Sequence, residues 1–416
     1  MLNVYGMIAL AALLGEFMLG VWVDLLNLRA MRPDPPPGFE DVYDSERYRR
    51  SQEYTRARAA FAIWPRAVGL ALVLVVWFAG GFEALDRALR ALEMSPTLTG
   101  VFFIGTLVAG RAVMMLPFRY YSTFVIEERF NFNKSTLGTF FSDQLKFLLL
   151  GSLIGGPLLA LVLVLFERGG SLAWLYCFAA IASLTLLLQF VAPAFIMPMF
   201  NRFSPLDEGA LRDSIFGYAK SVGFPLSKLF VIDGSRRSNK ANAFFTGFGR
   251  QKRIALFDTL VERHSVEELV GVVAHEIGHY KMKHIARSMV LSIAQMGLML
   301  WLLGFFLGSQ PLYSAFGISE PSVYTGLVFC SLLYTPVDLL LSLFMSARSR
   351  KHEYEADRYA AQTTGKPEAL AAALKKLAAD SLSNLTPHPA YVFLHHSHPP
   401  VTERVAALLS MARSPQ

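Results

Sequence analysis

A helix needs about 20 apolar residues to cross a bilayer core, and this chain of 416 residues contains seven such stretches. They fall within Leu2–Leu28, then at about Ala67–Leu85, Leu98–Leu116 and Phe147–Phe166, within Leu172–Met197, and at about Ser288–Leu307 and Val323–Met345. The first holds Glu16 and Asp24 and lacks the basic start and small-residue site of a cleaved signal, so it is expected to stay as a span. Composition agrees: 53% of residues are hydrophobic and 17% charged, against about 25% charged in soluble proteins. The expected fold is therefore a mainly α, polytopic membrane protein. The net charge of +7 comes largely from arginines beside apolar stretches, which fixes topology rather than marking a nucleic-acid surface. The long loops, rich in Arg between Arg29 and Arg66, are expected to face the cytoplasm, as is the C-terminus. Cys177 and Cys330 lie in apolar stretches, so neither a disulfide framework nor a closely spaced thiolate cluster is present.

The chemistry sits in the polar part. The segment Val266–His284 reads as a helix capped by Ser265, with Glu267 and Glu268 in its first turn. His275 and His279 are four residues apart, so both imidazoles project from one face and can share a zinc ion. Glu276 lies beside them as the base that takes a proton from the attacking water. Gly278 leaves room for a close neighbour. All nine histidines lie at or after His264. A catalytic zinc needs a third protein ligand, and the helix expected from Arg350 to Ala361 offers one. There Glu353 and Asp357 share a face while Glu355 points elsewhere. Glu353 is assigned as ligand and Asp357 as the acceptor for a ligand histidine's other nitrogen. The segment 244–260 has hairpin character around Gly247, Gly249 and Gln251. Such an edge strand can receive a peptide as an added strand.

These residues, with others in the right order, resemble the type I CAAX prenyl proteases, integral-membrane zinc metallopeptidases of the a-factor-converting kind. The likeness runs through Phe124–Lys134, Met197–Leu206, Asn242–Phe248 with Lys252–Leu260, Glu353–Asp357, and His396–Pro400 with Glu403 and Arg404. The resemblance implies seven transmembrane helices around an intramembrane chamber, with a gluzincin-like zinc site reached from the cytosolic side. It implies that Asn242 and His398 bind the substrate backbone or the oxyanion, and that Arg404 fixes an acidic partner. It implies C-terminal processing of a peptide or prenylated protein substrate. A turn role for Asn242 is the alternative from the residues themselves. A chamber or tight pairing would equally satisfy Glu16, Asp24, Arg111 and Asp338.

Four regions are expected: a membrane region 1–200, a catalytic loop region 201–287, spans over 288–346 and a catalytic tail 347–416. One zinc per chain, a lipid bilayer as surroundings and a monomer complete the expectation. The end Ser414-Pro415-Gln416 carries no retrieval signal. With the abundance of Ala and Arg, that leans to a bacterial inner membrane over a eukaryotic internal one. Three alternatives remain. A transporter with structural zinc gives no reason for Glu276, and a scaffold with a dead site conflicts with the intact residue set. The third is a broader quality-control peptidase.

Overall fold

The computed structural model describes residues 3–246 and 252–413. Among the described residues, seven helices are long and apolar enough to span a membrane: Val4–Arg29, Ser45–Phe78, Pro96–Glu127, Leu137–Arg168, Gly170–Met199, His284–Phe306 and Val323–Thr364. In six of them no more than 11% of the most apolar window is buried. Most of the apolar surface of these windows is therefore open to lipid or to internal space. Arg111 lines one cavity of about 790 Å³, together with Arg58, Phe61, Phe118, Arg119 and Phe147.

Boundaries differ from the sequence reading where hydropathy and helix geometry part company. The second span begins far upstream of Ala67, because Asp44 caps a polar helical lead, its Oδ1 accepting from the Arg47 amide. It ends at Phe78 rather than near Leu85, because Gly80 takes a left-handed φ of +73° and a separate helix Gly81–Arg90 follows. The third, fourth and fifth spans each contain a π-helical stretch: Ser122–Glu127, Gly151–Gly155 and Ala192–Ile196. Buried Asp24 pairs with Arg66 on the second span, and Asp338 accepts from Gln295 Nε2 at 3.1 Å. Pairing is thus the answer for Asp24, and a cavity for Arg111.

Among the described residues, two large apolar cores hold the assembly, beside a smaller cluster of Tyr54, Ile126, Phe130, Phe132 and Leu382. One ties the spans together at the far end through Trp77, Phe103, Leu163, Phe316 and Phe329. The other lies under the polar layer. It joins Phe39 and Tyr43 from the first loop, and Tyr48 from the polar start of the second span's helix, to Ile254, Leu256, Val273, Ile277, Leu370 and Leu408.

That layer contains a sheet larger than the expected hairpin. Its strands are β1 (Phe203–Pro205), β2 (Leu226–Ile232), β3 (Ala243–Thr246) and β4 (Lys252–Phe257), in the order β1-β2-β4-β3. β2 and β4 are parallel, while β1 with β2 and β3 with β4 are antiparallel. The expected turn at Gly247, Gly249 and Gln251 lies outside the described residues.

Candidate metal centre

The helix that carries His275 runs over Val266–Lys281. Ser265 and Glu268 form a capping box: the Ser265 hydroxyl accepts from the Glu268 amide at 3.3 Å, and the Glu268 carboxylate accepts from the Ser265 amide at 2.9 Å. Its inner face is apolar. Val273, Ala274 and Ile277 are fully buried in the same apolar core as Ile254 and Leu256 of β4, and a buried Val or Ile side chain contributes about 2 kcal/mol. The helix does not reach His284 as expected. Lys283 turns left-handed at φ 58° and His284 opens the sixth span.

The third partner arrives on a helix that never stops at the membrane. Val323–Thr364 is one helix of 42 residues, roughly 60 Å long, and so the expected separate helix from Arg350 is its far end. This end crosses the His275 helix at Gly278. A Cβ there would lie 3.2 Å from Ala356 Cα and 3.1 Å from the Tyr359 ring. Gly278→Val is therefore expected to push the two helices apart, lower stability by about 1–3 kcal/mol and weaken metal retention. Thermal denaturation and metal content measure the two effects separately.

At the crossing, His275 Nε2 and His279 Nε2 are 3.1 Å apart. They lie 3.5 and 3.3 Å from the carboxylate oxygens of Glu353. Ligands at 2.0–2.2 Å around a tetrahedral zinc sit about 3.4 Å from one another, so the three side chains have the spacing of a metal site. Glu353 Oε2 also faces Arg404 Nη1 and His398 Nδ1, each 2.9 Å away, so the carboxylate is held among cationic and imidazole groups.

The surrounding groups hold this arrangement. Asp357 Oδ1 lies 2.9 Å from His275 Nδ1. Buried Arg404 donates to both Asp357 oxygens, Nε at 2.8 Å and Nη2 at 2.7 Å. Tyr354 donates to Glu403 at 2.8 Å, which ties the C-terminal segment to the ligand helix. Burial alone would lower the His275 pKa, but hydrogen bonds to Asp357 and Glu353 outweigh it and raise it to about 9. A metal on Nε2 then binds in exchange for a proton. Burial pushes the Glu276 carboxyl above the ordinary carboxylate range, against the pull of His275 and His279.

His398 reaches the site although its side chain is 64% exposed. Asn242 stands just before β3, exposed, with Oδ1 accepting from the Ala243 amide at 2.8 Å. No hydrogen bond joins it to His275, His279 or Glu353 among the described residues. The Phe124–Lys134 segment holds its approach. Lys240 Nζ sits 2.8 Å from Glu127 Oε2 and 2.7 Å from the Tyr54 hydroxyl. His284 was not foreseen. In an unbroken helix it would lie five residues past His279 and face away. The turn at Lys283 instead puts its Nδ1 3.1 Å from His279 Nδ1 and its Nε2 2.9 Å from Glu355. No Gly or Pro marks this break in the sequence.

Seven membrane-spanning helices with a His-Glu-x-x-His helix and a carboxylate from a second helix define an integral-membrane metallopeptidase. Comparison with known proteins agrees. Residues 24–202 match the family model described as CAAX prenyl protease N-terminal, five membrane helices, and residues 205–412 match Peptidase family M48. The CAAX prenyl protease 1 of Saccharomyces cerevisiae is 37% identical, over 90% of this chain and 88% of its own length. The CAAX prenyl protease 1 homolog of Oryza sativa is 36% identical, over 94% of each chain. The crystal structure of Ste24p from S. mikatae superposes with a TM-score of 0.93 at 34% identity, covering 98% of this chain and 100% of that one. The chain belongs to Peptidase family M48, in its CAAX prenyl protease group.

Proposed function

We propose that this chain is a zinc endopeptidase that processes the C-termini of prenylated CAAX proteins. The observation that carries the metal reading is the spacing of His275, His279 and Glu353. Those three would hold the ion. When bound, zinc supplies Lewis-acid polarisation of the attacking water and of the scissile carbonyl. Glu276 accepts the proton of that water and returns it to the leaving amine. Its raised pKa suits a group that must hold the proton between the two transfers. Asp357, fixed by Arg404, keeps His275 oriented. His398 and Asn242 donate to the developing oxyanion. β3, at the sheet edge next to Asn242, receives the substrate as an added strand. No serine or cysteine nucleophile takes part.

The prenylated substrate is supported by the names of the relatives and by their coverage of nearly the whole chain. Its test is cleavage of a CAAX peptide with and without a farnesyl group on the cysteine. Dependence on the lipid supports the proposal. Equal cleavage of both peptides replaces it with a broader membrane peptidase.

The catalytic unit comprises 201–287 and 347–416, with the first loop packed into its core through Phe39 and Tyr43. Arg-rich loops put this unit on the cytoplasmic side, where a reporter fused after Gln416 is expected to respond; an external signal overturns the topology. The chain is proposed to act as a monomer, and His275, His279 and Glu353 all come from one polypeptide. A bacterial inner membrane stands on composition alone, and the relatives named above are eukaryotic.

A further inference from the structure

We propose that His284, His352 and Glu355 form a second, separate metal site beside the catalytic one. Each offers a ligand atom, and these atoms lie within 4.8 Å of one another. His284 Nε2 and Glu355 Oε2 already meet at 2.9 Å. The His352 ring lies face to face with His284, centroids 4.0 Å apart and planes 8° from parallel. His352 is only 6% exposed, yet its imidazole makes no hydrogen bond among the described residues. One of its ring nitrogens already lies within 4.8 Å of the ligand atoms of His284 and Glu355. Lys351 stays 3.9 Å from Glu355 and is largely exposed, and the charges of Arg348 and Arg287 act on His352 as well. Two imidazoles and a carboxylate suit zinc or a related divalent transition metal.

The site cannot be filled without cost to the first. An imidazole that gives one nitrogen to a metal keeps a proton on the other. His279 Nδ1 and His284 Nδ1 face each other at 3.1 Å. With both rings ligating through Nε2, two N–H donors would meet with no acceptor between them. The second metal therefore binds more weakly, and its binding slows peptidase turnover. This coupling rests on His279 being a ligand of the catalytic metal; the second site itself does not.

The experiment is a zinc titration of the purified full chain in detergent, read as metal equivalents per chain and as peptidase rate. The wild type is expected to take a tight and a weaker equivalent, with inhibition over the weaker range. His352→Ala is expected to keep the tight equivalent and its basal rate, and to lose the weaker one together with the inhibition. Glu355→Gln provides the same stoichiometric test if His352→Ala fails to fold. Saturation of the wild type at one equivalent overturns the proposal, as does a weaker equivalent that survives both variants. Glu353→Ala separates the two readings. Loss of the tight equivalent alone supports both sites. Retention of the tight one, with the weaker still dependent on His352, overturns the assignment of Glu353 and leaves the second site standing.

Discussion

Glu276→Gln is expected to leave metal content unchanged and to lower kcat by at least about 100-fold, since positioned acid–base groups contribute 10²–10⁴-fold. Gln keeps the volume and one carbonyl oxygen, so the buried environment that perturbs Glu276 is preserved. What it loses is the ability to accept a proton from water and release it to the amine. Substrate binding does not use this carboxylate, so KM should move little, and the loss should sit in kcat. An unchanged rate would remove Glu276 as the base.

The second large effect is loss of the metal in Glu353→Ala. Partners that merely orient ligands cost 10–100-fold in affinity when removed, so loss of a ligand is expected to cost at least about 100-fold. The site is also poorly built to survive it. Arg404 Nη1 would lose the carboxylate 2.9 Å away while its fork stays committed to Asp357. The two imidazoles would then face an uncompensated cation in a buried pocket, a poor place for a dication. Metal analysis after dialysis checks this directly. Full occupancy would transfer the role to another acid on that helix, with Glu355 first in line.

Much of this was open to sequence because the physical signals are local. An apolar run long enough to span a bilayer is read without any partner, and all seven runs became spanning helices. The i,i+4 rule placed His275 beside His279, and Glu353 beside Asp357, from spacing alone. What escaped depends on contacts far apart in the chain or on backbone turns with no residue signature. β2 was missed because Leu226–Ile232 has no hairpin partner nearby and forms a strand through parallel pairing with β4 some 25 residues later. The continuity of the seventh helix was hidden because hydropathy reverses at Arg348–Lys351 while the helical backbone does not. Arg404 was expected to fix an acidic partner, but that the partner is Asp357, 47 residues away, was not legible. His284 was hidden by a left-handed lysine, a conformation that sequence offers no reason to expect.

The central claim is that hydrolysis here runs on a metal held by His275, His279 and Glu353. It is tested most directly by stripping the purified chain with a chelator and returning one equivalent of zinc, with cleavage of a farnesylated CAAX peptide as the readout. The account predicts that activity disappears on stripping and returns with zinc in the wild type. In Glu353→Ala it should not return at that concentration. Full activity in the stripped wild type, at a metal content well below one per chain, would contradict it.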